Sequence, residues 1–466
     1  MPVPGLRAAP NPAVVGQWSA PVEIGIMGMH ATLLHTGQVL LYEHTGDLGS
    51  EARLLDPSTN EAVDVTVQDL LDIHCSANTV MPDGRVLIVG GTEYGNRASH
   101  NGVTTAMLFD PETWTWAATG PLNDPRWYPT AVQLGNGRTL VAAGEMSLDV
   151  PQISAESYDP GTGLSTEYGV TADSDTDPYA HLFLLPSGKV FRAIPNPDAQ
   201  RFNTATGTWS SRFARMNFGW RDGGAAVLLP GPRVLAVGGA DLPFADRSPD
   251  MVATATAEII DFAESSPAWR YTQPMHFPRI HPNLVLLADG RPLVVGGAAQ
   301  GFSTSPVRRP ELFSPWNGSW TLMAAQAADR GYHSTALLLP DGRVLSTGSN
   351  LSNLPTTVEY FSPPYLFKGS RPVIESAPTS VAYGQQMTIV TPDAGDITRV
   401  VLVRPGSTTH ATNFDQRWMK LSFTRGTGSL IADIPSSPTR LPPGYYMLFI
   451  LSSQGVPSVA PFVHVG

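Results

Sequence analysis

The chain has 466 residues, with 40 acidic against 29 basic side chains, a formal charge of -11 and only 15% charged residues. That balance disfavours nucleic acid and anionic membrane surfaces as partners, and the longest apolar runs are strand-sized, which excludes a spanning helix. One cysteine, Cys75, leaves no internal disulfide, while 44 glycines and 43 prolines supply turns in quantity.

The first residues, MPVPGLRAAPNPAVVG, hold no apolar core of signal-peptide length. Either the protein is not exported by that route or the chain starts at a mature end; an extracellular or cell-envelope location is expected. AVVGQWSAP follows, a tryptophan-bearing segment without inner strands of its own. From Leu33 onward a tight-turn signal recurs: a small or acidic residue, Gly and a basic residue between two apolar strands. Its seven copies turn near Gly37, Gly84, Gly137, Gly188, Pro232, Gly290 and Gly342, 44 to 58 residues apart. A second signal, such as LFDPETWTW from Leu108 or LFSPWNGSW from Leu312, follows most copies. Repeats of this period, with four short strands each, predict an all-β fold: a seven-bladed kelch-type β-propeller over residues 1–362. One blade cannot bury its faces alone, so the copies must stack in a ring. The seventh lacks its outer tryptophan-bearing strand, which the N-terminal segment is expected to supply, hiding two open edges. Over residues 363–466 the repeat stops, and QMTIVTP, ITRVVLVRP, WMKLSFT, SLIADIP and YYMLFILSS predict an immunoglobulin-like, early-set β-sandwich.

In a propeller the start of each inner strand faces the central channel. Counting nine residues back from each turn places Gly28, Cys75, Tyr128, Tyr179, Gly223, His281 and His333 there, with Tyr332 ten back. An extra residue in the seventh copy would turn both Tyr332 and His333 inward through a bulge. Arg126, Arg221, Arg279 and Arg330 recur two or three places earlier. A ring centre holding a thiol, phenols, imidazoles and guanidiniums is too polar to be packing alone, because such groups buried without partners are costly.

HCSANTVMPDGRVLIVGG around Cys75, RWYPTAVQL around Tyr128, RGYHSTALLLPDGRV around Tyr332 and STTHATNFDQRWMKL around His410 together resemble the copper radical oxidases of the galactose oxidase and glyoxal oxidase family. The resemblance spans nearly the whole chain and implies one copper per chain, held by Tyr128, Tyr332, His333 and His410, the last on a sandwich loop reaching into the channel. It also implies a thioether between Cys75 and Tyr128, which serves as the radical cofactor, with Tyr332 as general base. Imidazole and phenolate donors with an open position suit Cu(II). Removing two electrons from an alcohol or aldehyde hydrate needs a second one-electron carrier beside the metal, and a sulfur-substituted tyrosine can be that carrier. Dioxygen would take up the electrons and leave as hydrogen peroxide.

The place of the galactose oxidase tryptophan that stacks on the thioether is Met146 here; Trp220 and Trp127 are the candidates for another indole. The RWYP run resembles glyoxal oxidases more, pointing to glyoxal, methylglyoxal or glycolaldehyde as substrate of a monomer. Arg221 is the candidate guanidinium at the substrate mouth, against the alternative of an ion pair between blades. Structural hydrogen-bonding roles are expected for His30, His74, His181, His276 and His281, although His281 and Tyr179 occupy channel positions from which they could touch substrate. Tyr94, His100 and Asn101 are candidate rim residues. Asn317-Gly318-Ser319 and Asn350-Leu351-Ser352 fit the glycosylation pattern. Two alternatives stand beside the aldehyde reading: a primary alcohol or carbohydrate oxidase, and a non-catalytic binding scaffold, which would hold no copper.

Overall fold

A computed structural model of the chain describes residues 10–44, 50–66, 73–93, 101–168, 177–242, 251–301, 304–350, 352 and 354–466. Tyr94 and His100 lie outside them. Each repeat forms an antiparallel sheet whose innermost strand carries the first apolar run, for example Ala77–Val80, followed outward by Val86–Val89, Ala106–Asp110 and Thr115–Ala118. The described residues contain seven such sheets. The inner strands are buried along their whole length, Thr130–Gln133 and Ser334–Leu338 included, because both faces of each sheet meet a neighbouring sheet. Adjacent blades share apolar cores such as Leu87, Val89, Leu108, Ala131 and Val141. In the last sheet Gln17 and Trp18 pair with Ser362 and Phe361, so the start of the chain lies along its outer edge.

Beyond the short helical turn Pro364–Phe367, a five-stranded sheet containing Ile397–Arg404 and Gly444–Ser452 stacks on a three-stranded one. Period-two geometry explains why both of these strands read as continuous apolar runs. Val400, Leu402, Tyr446, Leu448 and Ile450 fill the sandwich, whereas Val401, Val403, Met447, Phe449 and Leu451 join a core with propeller residues such as Leu337 and Leu339.

The next strand, Ser407–Thr409, leaves the sandwich and pairs with the innermost strand of the first blade, His30 facing Thr409 and Thr32 facing Ser407. Side chains anchor this finger inside the ring. Asp415 accepts from Thr79 Oγ1 at 2.7 Å and the Val80 amide at 2.8 Å, and Arg417 Nη2 donates to the Leu184 carbonyl at 2.7 Å. Gln416 Nε2 donates to the Leu284 carbonyl at 2.6 Å.

The four arginines ahead of the inner strands turn away from the channel. Arg126, Arg221, Arg279 and Arg330 are fully buried inside their own blades, paired with Glu156, Glu258, Glu311 and Glu359 at 3.1, 2.8, 3.0 and 3.4 Å. Each also donates to a carbonyl at or just past the end of the second strand: Ala143, Gly238, Gly296 or Gly348. The expectation of guanidiniums in the ring centre is thus corrected. A buried guanidinium is held by a carboxylate and carbonyls, and the third strand of the same blade supplies that carboxylate.

Candidate metal centre

All seven positions nine residues before the turns share one backbone conformation. Gly28, Cys75, Tyr128, Tyr179, Gly223, His281 and His333 have φ of 64, 58, 58, 47, 60, 51 and 64°. Left-handed backbone at a bulky residue is disfavoured by about 1–2 kcal/mol and persists only where its surroundings fix it. Here they do so through bonds from blade to blade: the amide of Tyr128 donates to the Cys75 carbonyl at 3.1 Å and that of Tyr179 to the Tyr128 carbonyl at 2.8 Å. The twist swings each side chain towards the axis and sets Cys75 against Tyr128. The seventh blade needs no extra residue: Ser334–Leu338 pairs without interruption, and positive φ at His333 brings it beside Tyr332, with ring centroids 3.9 Å apart. The expected bulge is therefore absent.

The structure brings Cys75, Tyr128, Tyr332, His333 and His410 together. The hydroxyls of Tyr128 and Tyr332 lie 3.0 Å apart, and Cys75 Sγ is 3.6 Å from His410 Nε2. Ligand atoms of Cys75, His333 and His410 fall within 4.8 Å of one another. His410 reaches this point on the sandwich finger, where it and Ala411 also take positive φ, 48 and 68°.

Both imidazoles present Nε2 to the centre because Nδ1 is engaged elsewhere: His333 with Asn350 Oδ1 and His410 with Thr409 Oγ1, each at 2.6 Å. His333 Nε2 is buried with no hydrogen-bond partner. Burial pushes the His333 pKa down to about 3 and that of His410 well below the usual imidazole range, so their lone pairs are free of protons. Burial, with Cys75 and Tyr332 adding to it, raises the Tyr128 phenol well above its ordinary value. Without a cation that phenol keeps its proton; a metal beside it would stabilise the phenolate. Two neutral imidazoles and two phenols around one buried point, one nitrogen orphaned, fit a copper ion in an N,O environment.

The other candidates separate. Trp127 stacks on Tyr128, centroids 4.4 Å apart and planes 21° apart. Met146 is 39% exposed, and Trp220 binds Asp241 Oδ1 through its backbone amide at 2.8 Å; neither lines the cavity described below. Arg221 is among the residues lining that cavity, but its guanidinium is fully buried and paired with Glu258 within one blade, not between blades. His276 pairs with Glu311 at 2.8 Å, and His74 stacks on His44 at 4.4 Å. Asn101 Nδ2 donates to Glu93 Oε2 at 3.0 Å. The Asn317 side chain caps Ser319 in an exposed turn, whereas Asn350 Oδ1 serves His333.

A cavity of about 380 Å³, its open mouth included, leads to the centre between the fourth, fifth and sixth blades. Tyr179, His181, Gly223, His281, Tyr332 and His410 line it. Gly223, the ring position of the fifth blade, lies in its wall, and a Cβ there would stand 2.8 Å from His281 Cε1.

Residues 43–365 match the family model for the glyoxal oxidase N-terminus, and residues 371–465 that for the galactose oxidase-like early set domain. The chain belongs to the copper radical oxidases. Among proteins similar to this copper radical oxidase is a galactose oxidase of Gibberella zeae, 30% identical over 98% of this chain and 71% of its own. An aldehyde oxidase GLOX of Vitis pseudoreticulata is 28% identical over 97% of both chains. A solved structure, a fungal alcohol oxidase of the AA5 family in complex with copper, superimposes with a TM-score of 0.84 at 26% identity, covering 97% and 99% of the two chains. The family assignment removes the binding-scaffold alternative.

His30 has the hydrogen-bonding role expected of it, accepting from the Cys75 amide, whereas the roles of three other residues around the centre escaped sequence reasoning: Asn350, Thr409 and Thr412. Asn350 had a readable signal, since it replaces the Ala or Thr (Thr92, Ala240, Ala298) that follows Gly-Gly in other copies.

Proposed function

We propose that this copper radical oxidase oxidises small aldehydes, as their hydrates, to carboxylic acids while reducing dioxygen to hydrogen peroxide. The observation that carries the reading is the convergence of Tyr128, Tyr332, His333 and His410 around the orphaned His333 Nε2. These four residues would hold the copper. When bound, it supplies the second one-electron carrier that a two-electron oxidation requires. The chain's own groups do the rest. Cys75, joined through sulfur to the Tyr128 ring, makes that phenol easier to oxidise, and the stacked Trp127 indole keeps water off it. Tyr332 Oη takes the hydroxyl proton of the substrate, and oxidised Tyr128 takes a hydrogen atom from the substrate carbon. His181 and Thr412, 3.2 Å apart, offer neutral polar contacts to a small hydrate in the cavity, and the family's GLOX aldehyde oxidase covers this chain end to end.

A second reading, primary alcohol oxidation, is favoured by the alcohol oxidase whose fold this chain shares. Peroxide release measured with glyoxal, methylglyoxal and glycolaldehyde against galactose and simple primary alcohols decides between them. Higher kcat/KM for the aldehydes is expected; the reverse order leaves the alcohol reading. Cys75→Ser should retain copper and lose radical absorbance and turnover, and unchanged turnover would remove the thioether mechanism.

A further inference from the structure

His30 is completely buried in the innermost strand of the first blade, in edge contact with His410, yet it is not one of the converging donors. Its Nε2 is occupied: it accepts the backbone amide of Cys75 at 3.1 Å. We propose that His30 is the positioning residue for the self-made sulfur–carbon bond, holding Cys75 in the left-handed conformation that presents its thiol to Tyr128. The inference rests on the thioether reading above.

The ring of blades shows why a histidine is needed. At three of the other ring positions the amide donates to the carbonyl of the equivalent residue one blade earlier: Tyr128 to Cys75, Tyr179 to Tyr128 and His281 to Gly223, at 3.1, 2.8 and 2.6 Å. For Cys75 that acceptor would be the Gly28 carbonyl, which instead receives Thr335 Oγ1 at 2.9 Å. His30 provides the replacement, since a buried amide left without an acceptor destabilises the conformation that creates it. The imidazole is itself fixed. It stacks on Tyr42 with centroids 4.1 Å and planes 9° apart, and its Nδ1 faces Asn78 Oδ1 at 3.4 Å. Tyr42 Oη then meets Ser76 Oγ at 2.9 Å, and Tyr179 Oη donates to the Ser76 carbonyl at 2.9 Å. Cys75 and Ser76 are thus held by several neighbours, while the thiol lies 3.6 Å from His410 Nε2 in the buried cluster that Cys75 shares with Tyr128.

Bond formation breaks the thiol S–H and one ring C–H of Tyr128 and makes one C–S bond. The two protons and two electrons released pass to dioxygen, giving hydrogen peroxide. Geometry controls such a step, and misplacing the sulfur by an ångström slows it by about ten- to a hundred-fold.

The test uses full-length protein purified without copper, then given Cu(II) in air. Samples quenched over time are digested, and the linked Cys75–Tyr128 peptide pair is weighed for the loss of two hydrogens. His30→Phe keeps a flat ring and removes the acceptor; linking is expected to slow by about ten- to a hundred-fold, with copper bound and melting temperature near wild type. His30→Gln, whose amide oxygen can accept the same N–H, should recover much of the rate. Linking of His30→Phe at the wild-type rate overturns the proposal, as does failure of both variants to differ from one another. A wild-type chain that never links sinks the thioether reading itself, an outcome distinct from either.

Discussion

Gly223 offers the sharpest test of where substrate enters. It shares the left-handed ring position with six other residues, at φ of 60°, and it lines the cavity. In Gly223→Ala the new Cβ would sit 2.8 Å from His281 Cε1 and 3.0 Å from both His281 Nδ1 and Ile280 Cγ1. Backbone strain of about 1–2 kcal/mol is expected from the left-handed conformation alone. The imidazole must also move, and its ring centroid stands 4.7 Å from that of Tyr332. A shift of that kind beside the reacting groups lowers kcat/KM by about ten- to a hundred-fold. Gly28→Ala is the control. It has φ of 64° and a comparable clash, 2.8 Å from Thr347 Cγ2, but is not among the cavity's lining residues. Thermal melting should report similar losses for both variants, whereas peroxide release should fall only for Gly223→Ala, with copper content unchanged. Equal activity in the two variants would refute this placement of the substrate path.

Glu258→Ala would leave the Arg221 guanidinium buried without its carboxylate and should cost about 3–5 kcal/mol, read as a lower melting temperature with KM little changed in the folded fraction; a raised KM at unchanged stability would return Arg221 to the substrate. Asn350→Ala frees the His333 ring and should weaken copper binding by about ten- to a hundred-fold in competition with a chelator, against no change if the amide is a bystander. Burial holds His181, His281 and His333 at about 3 against the ordinary 6.5, so between these values the unfolded chain binds protons that the folded chain refuses. Stability is then complete above about pH 6.5 and declines as pH falls towards 3. The copper-free melting temperature should drop steadily from about pH 7 to pH 4, and a flat profile would contradict the buried, neutral imidazoles.

The all-β fold was readable because each blade repeats one turn chemistry and one apolar alternation. Counting back from those turns even located the channel residues, since a residue's place in the repeat fixes its place on the axis. What counting could not see was direction. Tyr332 and His333 are neighbours that alternate on an ordinary strand, and only the positive φ at His333 puts both on the same side. The arginines failed for the same reason: their recurrence was visible, but the glutamates they bind lie about thirty residues further on in the third strand, where Glu156, Glu258, Glu311 and Glu359 read as unremarkable strand residues. For His30 a hydrogen-bonding role was expected but its partner was not readable, because that partner is a backbone amide, which leaves no trace in a sequence.

Thr409 Oγ1 donates to the Met29 carbonyl, 380 positions away, and the neighbouring His410 is the last donor to arrive. During synthesis, then, seven blades emerge before the final imidazole exists. A nascent or truncated chain carries the thiol and phenols but not the full set of donors, so oxidising power is withheld until the molecule is whole.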